Sequence, residues 1–465
     1  MIAALALLVT QIALSPCTVE GVTGPAHCGT YRVWENRETK LGRQVNLSVI
    51  VLDAVGSSHK PDPLVFLQGG PGDAPSFNAR FYSNVFANVR QTRDLVLIDL
   101  RGTGKSAALT CPELAEPDES GVLSADFLDV KSLRACRQRL EQNADLRLYT
   151  TEIAVDDLDE VRRALGYKKI NLYGTSYGTR VAQVYMRRHP AALRTVTLKG
   201  VVPPSLASPE SHARAGEEAW GQLVQRCLND VDCARNYPTL DQDFRRLLER
   251  LETSPPLLTI PPGNNTVASR VKLTRGLFAE AFRSVLYSPE AAARAPSLVK
   301  TLSENNEQSL ATTALNTRLL VSGGRLAAGF FLSVSCTEDV PYLPQDIGSL
   351  AAGTFGGDYR LRQQIAACTV WPKGRVSPQH RQPTKSAIPT LLLSGEFDPV
   401  TPPAGGTEVL RGLKNGVHVV VRNNGHPIGS ADKCISAMID GLIDKGSVAG
   451  LDTSCAAKVP RVPFQ

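Results

Sequence analysis

Lys168–Val181, K-K-I-N-L-Y-G-T-S-Y-G-T-R-V, is the stretch whose reading decides the fold. Ile170 to Tyr173 is a short apolar run of strand type, Gly174 to Gly178 spells G-x-S-x-G, and Thr179 to Arg188 reads as helix up to Pro190. In the order strand, sharp turn, helix, a serine at the apex is held in a strained backbone conformation with its hydroxyl above the sheet. Gly174 and Gly178 lack the side chains that would collide with the adjoining strand and helix. The amide of Tyr177, at the helix N-terminus, is then free to donate to a developing oxyanion. Ser176 is therefore the candidate nucleophile. Five-residue motifs also match by chance, and the flanking strand and helix are what give this one meaning.

Upstream, Gln44 to Leu52 reads as strand, rich in β-branched residues. Leu64 to Leu67 is a short buried-strand candidate that runs into Gly69-Gly70-Pro71-Gly72. Glycines directly after a strand let the backbone approach a bound group, and this loop can supply a second oxyanion N–H. Pro71 has none to give, so the donor is Gly70 or Gly72, with Gly70 favoured. Judged without Ser176, the loop is equally a plain tight turn. Leu95 to Asp99 is the next strand, followed by Arg101-Gly-Thr-Gly-Lys105-Ser106. A phosphate loop would need glycine where Asp99 stands, and Cys111-Pro112 follows where its helix should continue. Thr151 to Leu165 has helical apolar spacing and ends at Gly166; Thr195 to Leu198 is a further strand. Strands alternating with helices imply an α/β fold, with a mostly parallel sheet covered on both faces.

After Gly200 the rhythm changes. Glu217 to Leu228, Asp243 to Leu251 and Leu273 to Leu286 read as helices between prolines, with few convincing strands. The expected organisation is a core from 15 to 202, a large, mainly helical cap from 203 to 386, and a second part of the core from 387 to 465. The alternation resumes at Pro389 to Ser394 and Val417 to Val421, before a helix from Ala431 to Ile443.

A serine hydroxyl is a poor nucleophile at neutral pH and needs a base within reach and an acid orienting that base. Asp398 follows one resumed strand in G-E-F-D-P, and His426 follows the other in N-N-G-H-P. Of the seven histidines, only His426 sits just beyond a late strand in a glycine-containing loop. Either residue alone reads as a turn residue. Jointly, the order Ser176, Asp398, His426 is that of an α/β-hydrolase triad.

The chain has 465 residues, 42% of them apolar, and a net charge of +6 with the charges interspersed. No basic run or basic helix with interleaved aromatics marks a nucleic-acid partner. Ten cysteines show no C-x-x-C and no zinc spacing. An even number spread as near neighbours suggests five local disulfides and an oxidising, extracytoplasmic compartment; buried free thiols are the alternative. Sequence does not fix the connectivity; the simplest pairing takes them in order, 17 with 28, 111 with 136, 227 with 233, 336 with 368 and 434 with 455. Cys17 to Cys28 then staples a turn-rich loop. Residues 1–14 resemble the apolar region of a secretory signal, without a basic start, and are too short to span a bilayer. Later segments lack about 18 consecutive apolar residues, so no stable membrane insertion is expected.

Together, C-G-T-Y-R-V-W-E-N-R (28–37), G-G-P-G (69–72), R-D-L-V-L-I-D-L-R-G-T-G-K-S (93–106), Y-G-T-S-Y-G-T (173–179), C-T-E-D (336–339) and L-L-L-S-G-E-F-D-P-V-T-P (391–402) resemble secreted α/β-hydrolases of the prolyl and tripeptidyl aminopeptidase type. The likeness covers both ends of the core and extends to the Cys434 and Cys455 tail; the cap matches weakly. Gln68 departs from the pattern, standing where the prolyl enzymes have histidine. The resemblance implies a triad of Ser176, Asp398 and His426, an oxyanion hole of Gly70 and Tyr177, and no cofactor or metal. The implied activity is an exported serine aminopeptidase that releases N-terminal residues or short N-terminal peptides through an acyl-enzyme. An esterase or lactonase on small esters is the alternative, because the same machinery cleaves either acyl bond. A catalytically silent binding protein on the same scaffold is a third reading. For a substrate with a free N-terminus, an ammonium partner is needed. Glu338 is the expected anchor and Asp339 its support or alternate, although an acidic turn facing solvent fits their spacing equally well.

Overall fold

The computed structural model describes residues 12–260, 269–304, 325–426 and 433–465. Its centre is a nine-stranded sheet of order β1-β2-β3-β5-β4-β7-β8-β11-β12. The strands are β1 (Leu14–Pro16), β2 (Ala26–Trp34), β3 (Gln44–Leu52), β4 (Leu64–Leu67), β5 (Leu95–Ile98), β7 (Ile170–Thr175), β8 (Leu193–Lys199), β11 (Thr390–Gly395) and β12 (Gly416–Val421). From β5 to β12 all neighbours run parallel, whereas β1, β2 and β3 add on antiparallel. The runs L-V-F-L, L-V-L-I and T-L-L-L-S-G are buried at every position. That is how a strand reads when both faces of its sheet are covered. Every connection in this parallel part carries the chain back to the same edge, so the strand C-terminal ends gather where the site forms.

β2 was not foreseen from sequence, where the Cys17–Cys28 stretch reads as a loop. Its residues alternate in burial without an apolar run, and what makes it a strand is nine-residue antiparallel pairing with β3. β1 pairs in turn with β2, so the loop is a hairpin closed by the Cys17–Cys28 bridge. The apolar segment 1–14 falls outside the described residues except for 12–14, of which Leu14 belongs to β1. All ten cysteines are bridged in sequence order, with Cα separations between 5.1 and 5.8 Å. Five such bridges persist in an oxidising compartment. No helix among the described residues is long and apolar enough to cross a membrane.

The loop 101–106 is structural. Arg101, fully buried, donates through Nε and Nη2 to Asp157 at 2.6 and 2.9 Å and through Nη1 to the Glu35 carbonyl. The amide of Lys105 is turned onto the Asp99 carboxylate at 2.9 Å. An internal anion thus holds the donors that a phosphate would need.

Between β8 and β11 the chain divides. Helices His212–Leu228, Leu240–Thr253, Arg275–Val285 and Ala295–Ser303 enclose a core of their own around Trp220, Phe244 and Phe282, with ring centroids 4.4 to 5.3 Å apart. The sequence read few strands here, and the structure adds two short ones, β9 (Leu257–Ile260) and β10 (Ser269–Lys272), joined by β6 (Val122–Leu123) from before the insertion. Helices Ala328–Val334 and Tyr359–Val370 instead bury Phe330, Leu332 and Ala367 in the cluster that also holds Val181 and Leu172. A single π-helical turn, Ser335–Asp339, continues the first of these, and the Cys336–Cys368 bridge fastens it to the second.

Candidate active site

Ser176 follows β7 and caps the helix Tyr177–Arg188, with φ 55° and ψ −122°. This is a costly conformation for a side chain with a Cβ, of order 1–3 kcal/mol. The surroundings impose it. The Ser176 amide donates to Lys199 O at 2.8 Å, and a Cβ on Gly178 would lie 2.1 Å from Leu67 O. Strand and helix therefore cross too closely for any residue but glycine. The Tyr177 N–H lies in the first helical turn, where no intrahelical acceptor exists for it.

The glycine loop after β4 passes beside Ser176: a Cβ on Gly69 would come within 3.0 Å of the Ser176 Cβ. Gly70, at φ 108°, lines the cavity above the serine, whereas Gly72 packs against Ala327 and accepts its N–H at 3.0 Å.

Asp398 and His426 arrive from the ends of β11 and β12. The Asp398 carboxylate is buried and fully occupied. Its Oδ1 accepts from the amides of Val400 and Thr401, both at 2.8 Å, and its Oδ2 from the Thr401 hydroxyl at 2.7 Å. Nδ1 of His426 lies 3.0 and 2.9 Å from the two oxygens. Fixing Nδ1 as the donor leaves Nε2 to accept a proton. Tyr287, just beyond the helix Arg275–Val285, completes the support: its carbonyl accepts the His426 N–H at 2.8 Å and its ring lies edge-on to the imidazole at 5.2 Å.

Ser176, Tyr177, Gly70 and His426 line one cavity of about 370 Å³, with Asp398 behind the histidine. Of the two expected ammonium partners, Asp339 lines this cavity and Glu338 does not. Glu338, the expected anchor, lies behind the cavity wall and not on it. Its carboxylate faces away, accepting from the Thr151 amide and hydroxyl, both at 2.6 Å, and the hydroxyl also meets the Tyr177 hydroxyl. Burial pushes the Glu338 carboxyl up to about 7, against the pull of Arg180 and Thr151. Asp339 is ion-paired with Arg180 at 2.8 Å and accepts the Ser208 amide at 3.0 Å; burial raises its pKa too, though Arg180 opposes the rise. Neither acid faces solvent, because the π turn carrying both is buried.

Sequence reasoning missed Arg180, Tyr287, Glu280, Arg283, Arg360 and His212, all on the cavity wall. Arg180 was legible as the fourth residue after Ser176. Glu280, Arg283, Arg360 and His212 belong to helices, and Tyr287 to the turn just after one; apolar stripes fix such helices and say nothing of what their polar faces meet.

A strained serine at a strand–turn–helix elbow, a glycine loop beside it, and a histidine–carboxylate pair brought to the same cavity by two later strands define an α/β-hydrolase. The chain is a serine hydrolase. Residues 353–455 match the family model described as TAP-like protein. Along most of its length the chain is similar to serine protease Hip1 of Mycobacterium tuberculosis, at 24% identity over 470 residues that cover 93% of this chain and 88% of that protein. It is likewise similar to the tripeptidyl aminopeptidase of Streptomyces coelicolor, at 24% identity over 460 residues, covering 93% and 83%. Among solved structures, the proline iminopeptidase of Mycobacterium smegmatis aligns with 90% of this chain and 99% of that one, at 16% identity and a TM-score of 0.40.

Proposed function

We propose that this chain is an exported serine aminopeptidase. Ser176 Oγ attacks the scissile carbonyl while His426 Nε2 takes its proton. The amides of Gly70 and Tyr177 hold the oxyanion, and the imidazolium, steadied by Asp398, protonates the leaving amine. Water then repeats the sequence on the acyl-enzyme. The observation that carries this reading is the His426–Asp398 pair reaching the cavity that contains the strained Ser176. Peptide specificity is supported by the relatives' names. Residues of the inserted helices, among them His212, Glu280 and Arg283, wall the same cavity as Ser176 and support it as well. Asp339 on the cavity wall is the ammonium partner, and Glu338 one layer behind adds negative charge whenever it is ionised.

A screen of chromogenic peptides with free and acetylated N-termini, alongside simple esters, tests the proposal. Free-amine peptides should be cleaved at least tenfold more efficiently than their acetylated partners. Hydrolysis of esters alone would overturn the peptidase reading in favour of an esterase. Absence of fluorophosphonate labelling at Ser176 would leave only a silent scaffold.

A further inference from the structure

The cavity has a second polar centre that the hydrolytic machinery leaves unused. Arg283 and Arg360, on separate helices, donate to the same oxygen, Oε1, of Glu280, at 2.5 and 2.8 Å. His212 lines the same cavity. Burial and the two arginines push the His212 pKa well below its ordinary value, so it adds no positive charge. Burial alone would raise the pKa of Glu280, but Arg283 and Arg360 bring it down to about 2, so it stays ionised at any working pH. Two guanidiniums around one carboxylate leave a net charge of +1. The excess is not solvated away: Arg283 is 6% exposed, and the Arg360 side chain 20%.

Unpartnered polar atoms accompany the excess charge. Arg283 Nε and His212 Nδ1 are buried without a hydrogen-bond partner among the described residues. The other acids on the wall face cations of their own, Asp339 facing Arg180 at 2.8 Å and Asp73 facing Arg325 at 3.6 Å, so neither offsets this charge. Arg360 is held in place, its Nε donating to Gln364 at 2.7 Å and its guanidinium lying 4.7 Å from the Phe127 ring centroid. Such a fixed planar fork suits a carboxylate. The cluster also adjoins the reacting centre, since Arg283 Nη1 donates to the hydroxyl of Tyr287, whose ring lies against His426.

We propose that Arg283, Arg360 and His212 form a subsite for a carboxylate of the substrate, either the C-terminal carboxylate of a short peptide or an acidic side chain. This rests on the peptidase reading. The Asp339 side of the cavity offers an acid and the Glu280 side an uncompensated cation, so a short peptide with both termini charged finds a partner for each. The enzyme then selects small anionic or zwitterionic peptides over internal stretches of long chains.

The test uses two pairs of free-amine peptides of identical length. One pair differs in a C-terminal acid against a carboxamide; the other is amidated and differs in glutamate against glutamine. The wild-type enzyme should favour the carboxylate member of at least one pair by tenfold or more in kcat/KM, mostly through KM, and the pair that responds identifies the source of the carboxylate. In Arg360→Gln the ratio should fall below about two, while Arg360→Lys retains part of it; thermal melting checks that both variants are folded. A wild-type ratio below two in both pairs overturns the proposal, as does a preference for the amides or one that persists in Arg360→Gln. Should only esters be hydrolysed, the peptidase reading fails on its own, and glutarate against glutaramide as inhibitors of ester hydrolysis then tests the subsite. Competitive inhibition by glutarate alone, lost in Arg360→Gln, supports it; equal or absent inhibition sinks it.

Discussion

Replacing Asp398 by asparagine changes one oxygen to an NH₂ group and almost nothing in volume, and the hydrogen bonds around it dictate which way the amide turns. Oδ1 accepts two backbone amides, from Val400 and Thr401. Neither can accept in return, so turning the NH₂ group toward them would lose two bonds and set donors face to face. The asparagine oxygen therefore stays there, and the NH₂ group takes the place of Oδ2, where it meets His426 Nδ1 at about the present 2.9 Å. The Thr401 hydroxyl can rotate and accept. Nδ1 then faces a donor at its nearer contact, and accepting from that donor moves the imidazole proton to Nε2, the position that has to receive the serine proton. Loss of a general base through the wrong tautomer costs on the order of 10⁴ in kcat in the serine-protease example from which the rule comes. That is about 5.5 kcal/mol of barrier. Initial rates on the best substrate of Asp398→Asn, with the fluorophosphonate labelling rate of Ser176 as a second measure, should both fall by this order. The melting temperature should stay within a few degrees, since the bonding count is kept. Activity within tenfold of wild type in a folded Asp398→Asn protein would refute the assigned role of the pair.

Ser176→Ala should abolish turnover by on the order of 10⁶ while leaving the circular dichroism spectrum unchanged; retention of a tenth of the activity would exclude Ser176 as nucleophile. Glu338 should make stability fall as pH rises. Between the unfolded value of 4.5 and the folded value of about 7, the native state keeps a proton that the unfolded chain has lost, which costs up to about 3 kcal/mol and levels off above pH 7. Urea melts from pH 4.5 to 8 should show this fall in wild type and not in Glu338→Gln; parallel curves would contradict it. Asp339→Asn should reduce the preference for free over acetylated peptides by at least tenfold, and an unchanged ratio would place the ammonium site elsewhere. Removing the Cys336–Cys368 bridge, which spans 32 residues, should cost roughly 4 kcal/mol in the chain-entropy model and raise KM for free-amine peptides by loosening the turn that carries Asp339. A melt unaffected by Cys336→Ser with Cys368→Ser would show that packing alone holds the turn.

The sequence by itself determined whatever depends on near neighbours. In the central sheet β4, β5 and β11 were legible because strands buried on both faces are continuous apolar runs, and β3 was legible from its β-branched residues. The elbow at Ser176 was legible because its glycines answer to clashes within one strand, one turn and one helix. Bridging cysteines in order worked because all five loops are short enough for the folded chain to close locally. Tertiary structure decided the rest. β2 is a strand because β3 lies beside it. Glu338 and Asp339 are adjacent in sequence, yet the π turn sends one carboxylate to Thr151 and the other to the cavity. Glu280, Arg283 and Arg360 become one charged centre only when two helices about 80 residues apart in sequence pack together. Charge and hydrogen bonding act through space over a few ångströms, and no period or spacing along the chain records which polar faces the folded helices bring into contact.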